Sequence, residues 1–277
     1  MSTLLIIMMA AAGVKSLLMP PSPVGVITSF ATASNEEAIF YNPSNFSARD
    51  NLTFQCSYNR FYLGMQSVSL SLGKKMKGVD FGIGIVNFDY GEIEWRPDYP
   101  TEDPLINYSA YDFSLILGAA VNVTSQGRIG INLKYVTENI YVYSDYALAV
   151  DIAVVYRNGT SGVTLGASNF GTSMTINNDR VNLPSRLSIG GLHLIRKLTI
   201  SGDLHYLVND SAFEFAVGAT LPIHQRISLS AAVNYRDELY PGFGLTIDAG
   251  ALEVKYGGSF FPKNLGMVNN ISVGIGL

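Results

Sequence analysis

Residues 110–156 read AYDFSLILGAAVNVTSQGRIGINLKYVTENIYVYSDYALAVDIAVVY, and their alternation decides the fold. In the first arm, Phe113, Leu115, Leu117, Ala119, Val121 and Val123 alternate with Asp112, Ser114, Ile116, Gly118, Ala120 and Asn122. Successive strand side chains point to opposite faces, so this arm carries one apolar face of about ten residues. A polar turn, Thr124 to Gly127, reverses the chain. Ile129, Ile131, Leu133 and Tyr135 then oppose Gly130, Asn132 and Lys134. In the third arm Leu148, Val150, Ile152, Val154 and Tyr156 oppose Ala149, Asp151, Ala153 and Arg157. A soluble sandwich can produce one such arm. Three in succession, each about ten residues long and divided by turns, form the pattern of a transmembrane β-barrel.

The alternation continues on both sides. It starts with Leu52, Phe54, Cys56 and Tyr58 and ends with Ile271, Val273, Ile275 and Leu277, for about fourteen arms, one of them broken near residues 186–196. Even strand numbers are the rule for single-chain bacterial barrels. Turns near residues 73–78, 124–128, 157–161, 196–197 and 222–226 are short, basic and free of acids. Connections near residues 87–107, 137–146, 170–185, 236–242 and 258–268 read as longer and more polar. Short periplasmic turns facing longer outer loops are the usual asymmetry. Residues 87–107 and 170–185 are therefore expected at the cell surface and residues 73–78 in the periplasm. An epitope inserted at residue 100 should be labelled on intact cells; labelling at residue 76 instead would invert the orientation.

The predicted architecture is all-β: a transmembrane antiparallel barrel of about 14 strands over residues 51–277, preceded by a plug-like segment over residues 20–50. Fourteen strands enclose more space than the side chains of eight can fill, and residues 24–50 are the chain available to occupy it. A short helical stretch is expected around Ser34–Phe40. The start, MSTLLIIMMAAAGVKS, has an apolar core from Leu4 to Ala12 followed by small residues. Residues 1–19 read as a secretory signal peptide, although the basic n-region is missing. Of the 277 residues 48% are hydrophobic, yet no run reaches the roughly 18 apolar residues of a membrane helix. The net charge of −4 offers no general attraction to nucleic acid. A lone Cys56 excludes an intrachain disulfide and a cysteine-rich metal site.

Ser201, Asp203 and His205 share one face of an arm, a composition that suggests a hydrolytic trio. Residues two apart on a strand are separated by about 6.8 Å, too far for a hydrogen-bonded relay, so no catalytic role is assigned. No phosphate loop, HExxH or Cys/His cluster appears, and no metal or cofactor is expected. The inward charges are more informative. Asp112, Lys134, Asp151, Asp203, His205, Glu214, Asp248, Glu253 and Lys255, together with Asp80, form a candidate lumenal polar network, which either lines a conduction path or, the favoured reading, braces the wall or binds the plug. In residues 87–107 the acids Asp89, Glu92, Glu94, Asp98, Glu102 and Asp103 meet Arg96 alone. Tyr90, Glu92, Trp95, Tyr99 and Tyr108 make this loop a candidate partner surface, since aromatics are enriched at interfaces.

One hairpin can be given a register. Asn209-Asp210 suits a two-residue connection, pairing Val208 with Ser211, Tyr206 with Phe213, His205 with Glu214 and Leu204 with Phe215. The aromatics then face lipid and the polar pair faces the lumen, where Glu214 is expected to favour the protonated imidazole of His205.

Several segments together resemble the PorV/PorQ family within the wider FadL-like superfamily of outer-membrane barrels. They are ATASNEEAIFYNPSNFS (31–47), with the plug motif Tyr41, Asn42 and Pro43, then VNFDYGEIEW (86–95) and YSAYDFSL (108–115). INLKYVTENIYVYSDYALAVDIAVVY (131–156), GASNFG (166–171), NLPSRLSIGGLH (182–193) and NLGMVNNISVGIGL (264–277) complete the set. Ser44 and Asn45 depart from the family's Ala-Gly after Asn-Pro, and Leu277 from its terminal Phe. The resemblance implies a bacterial outer-membrane protein in contact with outer-membrane lipid. It also implies an accessory role in type IX-like secretion or surface attachment, with secretion-system proteins or secreted cargo as partners. The alternative is a FadL-like passive channel for hydrophobic small molecules.

Overall fold

The computed structural model describes residues 14–97, 99–261 and 266–276. The wall opens with β1 (Thr53–Arg60), β2 (Gln66–Met76), β3 (Val79–Trp95), β4 (Ile106–Asn122), β5 (Gly127–Ile140), β6 (Tyr143–Asn158) and β7 (Ser161–Gly171). A two-stranded ribbon, β8 (Met174–Ile176) and β9 (Asp179–Val181), interrupts the series. The wall resumes with β10 (Arg186–Ile195), β11 (Leu198–Leu207), β12 (Ala212–His224) and β13 (Ile227–Arg236). It ends with β14 (Glu238–Asp248), β15 (Leu252–Phe261) and β16 (Gly266–Gly276). β7 pairs with β10, and β16 returns to β1, so 14 antiparallel strands close the barrel.

The alternation predicts the two faces. Leu117, Val150 and Leu229 point outward, with 51%, 40% and 46% of their surface exposed, while Ile116, Ala149 and Asp151 beside them are buried in the lumen. No helix among the described residues is long and apolar enough to cross a membrane; strands do the crossing, and closure leaves no unpaired edge to lipid. Arginine at Leu117, Val150 or Leu229 is expected to cost roughly 2–4 kcal/mol. At inward Gly118 a Cβ would lie 2.7 Å from Asn132 Oδ1 and 3.1 Å from Ile39, so crowding against the plug sets the cost there. Urea unfolding of the four variants separates the two cases; four harmless substitutions would contradict the faces.

Some expected loops are strand. β5 and β6 are joined by residues 141–142 alone and β13 and β14 by Asp237, in place of the longer connections read at 137–146 and 236–242. Polar residues such as Glu138 and Asp145 continue the ladder as a cross-strand pair. Within 87–107, β3 runs on to Trp95 and β4 begins at Ile106, so much of the expected loop is strand. The arm read as broken near 186–196 is a regular strand whose Gly190-Gly191 pair opposite Asp203 and Gly202; two glycines erase the apolar pattern without breaking the ladder. The hairpin register is as expected, with Tyr206 opposite Phe213, His205 opposite Glu214 and Leu204 opposite Phe215.

Two bulges redirect side chains into the lumen, a common use of the extra residue. Tyr90 and Gly91 together oppose one residue of β4 between Asp89↔Tyr111 and Glu92↔Ser109, with Gly91 at φ 78°. The face therefore switches beyond the bulge, and Ile93 and Trp95 turn inward to pack near Tyr108 and Ile140. In β7, Ser168 and Asn169 oppose one residue of β6, with Asn169 at φ 60°; asparagine tolerates this left-handed region better than most residues.

Residues 14–50 run through the barrel as short turns: Lys15–Leu18, Pro23–Val26, Ser29–Thr32, Glu36–Phe40 and Pro43–Asn45. The helical stretch expected at Ser34–Phe40 is the 3-10 turn Glu36–Phe40. Val14 is fully buried beside β5, β6 and the ribbon at the loop end, and Arg49 accepts a hydrogen bond from Lys75 N–H at the turn end. The apolar run Leu4–Ala12 of the expected signal peptide lies outside the described residues, whereas residues 14–19 lie inside the mouth.

Candidate functional site

The plug touches the wall on both sides, and its apolar contacts gather on β4. Ile39 and Phe46 pack with Ile116 and Ala120, and Asn132 Nδ2 donates to Ile39 O at 2.9 Å. Arg128 donates to Phe46 O at 2.5 Å and to Asp80 at 2.7 Å. Glycine at 130 is required by the approach of backbone to backbone, because a Cβ there would lie 2.1 Å from the Pro43 carbonyl carbon. The motif Tyr41-Asn42-Pro43 organises the turn itself. Asn42 accepts from Ser44 N–H at 3.0 Å and donates to Phe30 O at 2.8 Å. The Tyr41 phenol accepts from Ser22 N–H and donates to Ser22 O; burial pushes its pKa up, which keeps that donor protonated.

Most of the candidate network residues meet partners inside. Asp112 accepts from Ser16 Oγ at 2.5 Å and Tyr90 OH at 2.7 Å. Lys134 pairs with Asp151 at 2.8 Å and donates to the bulge residue Asn169, whose N–H bonds Asp151 in turn. Asp203 receives the N–H groups of Phe30 and Ala31, at 2.9 and 2.8 Å, fixing the plug turn to β11. Lys255 pairs with Glu37 of the plug at 2.5 Å and with Glu253 at 2.8 Å. Glu37 also accepts from Ser22 Oγ and Gln55. Asp248 is apart from these, exposed on the turn-end rim and bonded to Gly250 N–H.

The expected His205–Glu214 interaction is displaced. Arg236, from β13, takes the Glu214 carboxylate, and His205 Nδ1 bonds Ser188 Oγ at 2.8 Å. Register predicted the neighbour on one strand, and the neighbour on the other side supplied a stronger partner. Ser201 bonds Thr28, so the Ser-Asp-His trio serves three separate contacts. The candidate partner loop also divides. Tyr90 is committed to Asp112, and Tyr108 is buried with Trp95 packed near it. Tyr99 and Glu92 remain exposed. Glu37, Arg186 and Arg236 were not among the sequence candidates. Parity with outward Leu187 and Val233 signals the two arginines; Glu37 sits in a segment without periodicity.

On the β10–β16 side the plug leaves space. A chamber of about 530 Å³ at the loop end is lined by Leu18, Met19, Met65 and Phe88 together with the charged Lys15, Asp210, Glu214, Arg236 and Asp237. A chamber of about 480 Å³ at the turn end is lined by hydroxyls, among them Thr32, Ser34, Thr199, Thr220, Ser228 and Ser230. Between them lies a cavity of about 150 Å³, which shares Leu18, Met19 and Tyr62 with the first chamber and Ile27 with the second. Residues 23–30 of the plug narrow this path: Val26 O receives Asn234 Nδ2 at 3.1 Å and lies 2.0 Å from where a Cβ on Gly242 would stand.

Neither a protein-family model nor a curated protein matches the sequence. Solved structures match over almost the whole chain. The toluene transporter TbuX of Ralstonia pickettii aligns with a TM-score of 0.71 at 10% identity, covering 92% of this chain and 98% of that one. The toluene transporter TodX of P. putida gives 0.68 at 11%, with the same coverage. A Pseudomonas aeruginosa FadL homologue gives 0.62 at 10%, again over 92% and 98%. At such identities the likeness is one of fold. The chain is a closed 14-stranded antiparallel β-barrel that shares the fold of these outer-membrane transporters.

Proposed function

We propose that this barrel is a passive channel for small hydrophobic molecules. The observation that carries the proposal is the row of chambers beside the plug, each with apolar side chains in its wall: Leu18, Met19, Met65 and Phe88 at the loop end, and Val24, Leu192, Leu194 and Leu245 among the hydroxyls at the turn end. An apolar solute gains by leaving water for the apolar side chains in these walls, and in a passive channel its concentration gradient sets the direction of net movement. The path is narrow at Val26–Phe30, so passage requires that part of the plug to shift. The names of the structural neighbours, toluene transporters, agree with a channel for hydrophobic molecules. The accessory role in secretion expected first from the motifs is the weaker reading, because it rests on those motifs alone and the neighbours favour the channel.

Intact cells with and without the protein distinguish the two. A channel raises uptake of a labelled neutral monoaromatic compound. Co-purification with a secreted protein and no gain in uptake would favour the secretion role.

A further inference from the structure

We propose that the central cavity is a binding site for a single-ring monocarboxylate, with the Arg186 guanidinium as its anion partner. The proposal deepens the channel reading, on which it rests, by naming a substrate class for the narrow part of the path.

Three cations reach this part of the lumen: Lys134, Arg186 and Arg236, all lining the cavity. Lys134 is paired with Asp151 and Arg236 with Glu214. Arg186 has no hydrogen bond and no ion pair within 4.0 Å among the described residues, and its Nε is buried without a partner. The acids around it are already engaged. Asp203 holds two plug N–H groups, Asp151 holds Lys134, Asn132 and Asn169, and Glu214 holds Arg236. A buried donor left unmade is costly, and a guanidinium presents a planar fork that matches a carboxylate. Two N–H groups leave the Asp203 charge in place, so the three cations face three acids, Asp151, Asp203 and Glu214; the site offers Arg186 as an unfilled donor fork and no surplus of positive charge, which disfavours a phosphate dianion.

Size and lining define the remainder of the ligand. A cavity of about 150 Å³ is the size of an engineered protein cavity known to take benzene. Phe261 stacks on Tyr240 at 4.5 Å and lies 5.5 Å from Tyr62, and all three line the cavity with Phe40. The same cavity thus presents aromatic rings and a carboxylate receptor in its wall. A neutral ring of the same size would leave Arg186 unpaired.

Equilibrium binding by the full chain in detergent, at neutral pH, tests this with benzoate, acetate and benzyl alcohol as probes. Benzoate should bind more tightly than either of the others. Arg186→Gln should weaken benzoate at least about tenfold, the range of a charge-assisted hydrogen bond, and leave benzyl alcohol unchanged. Arg186→Lys should retain part of the affinity, and it serves as the test if the glutamine variant does not fold. Equal affinity for benzoate and benzyl alcohol, or no effect of Arg186→Gln, would overturn the site while uptake of neutral compounds still supports the channel. Acetate binding as tightly as benzoate would overturn the aromatic class. Absence of binding together with absence of uptake would remove both readings.

Discussion

Lys255→Met is expected to destabilise the protein by about 3–5 kcal/mol, the range for breaking a buried ion pair from one side. The loss arises mostly in the residue left behind. Glu37 is 2% exposed, and Lys255 is the cation against its Oε1. Ser22 and Gln55 bond the other oxygen and cannot neutralise a charge. Glu37→Gln combined with Lys255→Met should recover much of the loss, since replacing both members of a buried pair is often close to neutral. Glu253 is more exposed than Glu37, so Glu253→Gln should change little. Urea unfolding gives the free energies, and hydrogen exchange over residues 22–41 reports whether the plug loosens first. Wild-type unfolding and exchange in the single variant would show that the pair does not hold the plug.

Deletion of residues 24–50 is expected to leave a closed barrel with clearly increased permeability to small solutes. The wall's ladder is continuous from β1 to β16 without any plug strand, so its hydrogen bonds survive the deletion. The segment removed packs against β1–β6 through Glu36–Asn45, against β7, β10 and β11 through Ser29–Thr32, and supplies the constriction beside Gly242. Inward polar groups such as Asn132, Arg128 and Asn234 would exchange plug carbonyls for water. Liposome swelling with small sugars measures the opening. A folded deletion variant with unchanged permeability would mean that other elements close the lumen, with the ribbon β8–β9 the first candidate.

The wall was legible because its signal is local. Each strand of β4, β5 and β6 repeats a two-residue period imposed by lipid on one side and a packed lumen on the other, and a slip of one residue would reverse it. Reading weakened wherever that period is interrupted. The bulge at Tyr90-Gly91 switches faces, so Trp95 read as loop when it packs inward. Gly190-Gly191 carries no hydrophobic contrast, and β10 read as broken with Arg186 at its start. The plug was legible as spare chain for an oversized barrel, but not in its contacts. Its turns have no period, and Glu37 meets Lys255 across 218 residues of sequence. The ion pair of Glu214 shows the same limit: the hairpin fixed one neighbour, His205, while closure of the sheet supplied Arg236 from the next strand.

The most direct measurement is uptake of a labelled neutral monoaromatic by intact cells carrying the wild type, Ile27→Ala or Ile27→Trp at equal outer-membrane levels. Ile27 lines both the central cavity and the turn-end chamber, at the junction through which a solute must pass. Removing side-chain volume there should speed uptake above wild type, and adding an indole should bring it down to that of cells lacking the protein. Uptake identical in all three strains and in cells without the barrel would contradict conduction through this lumen.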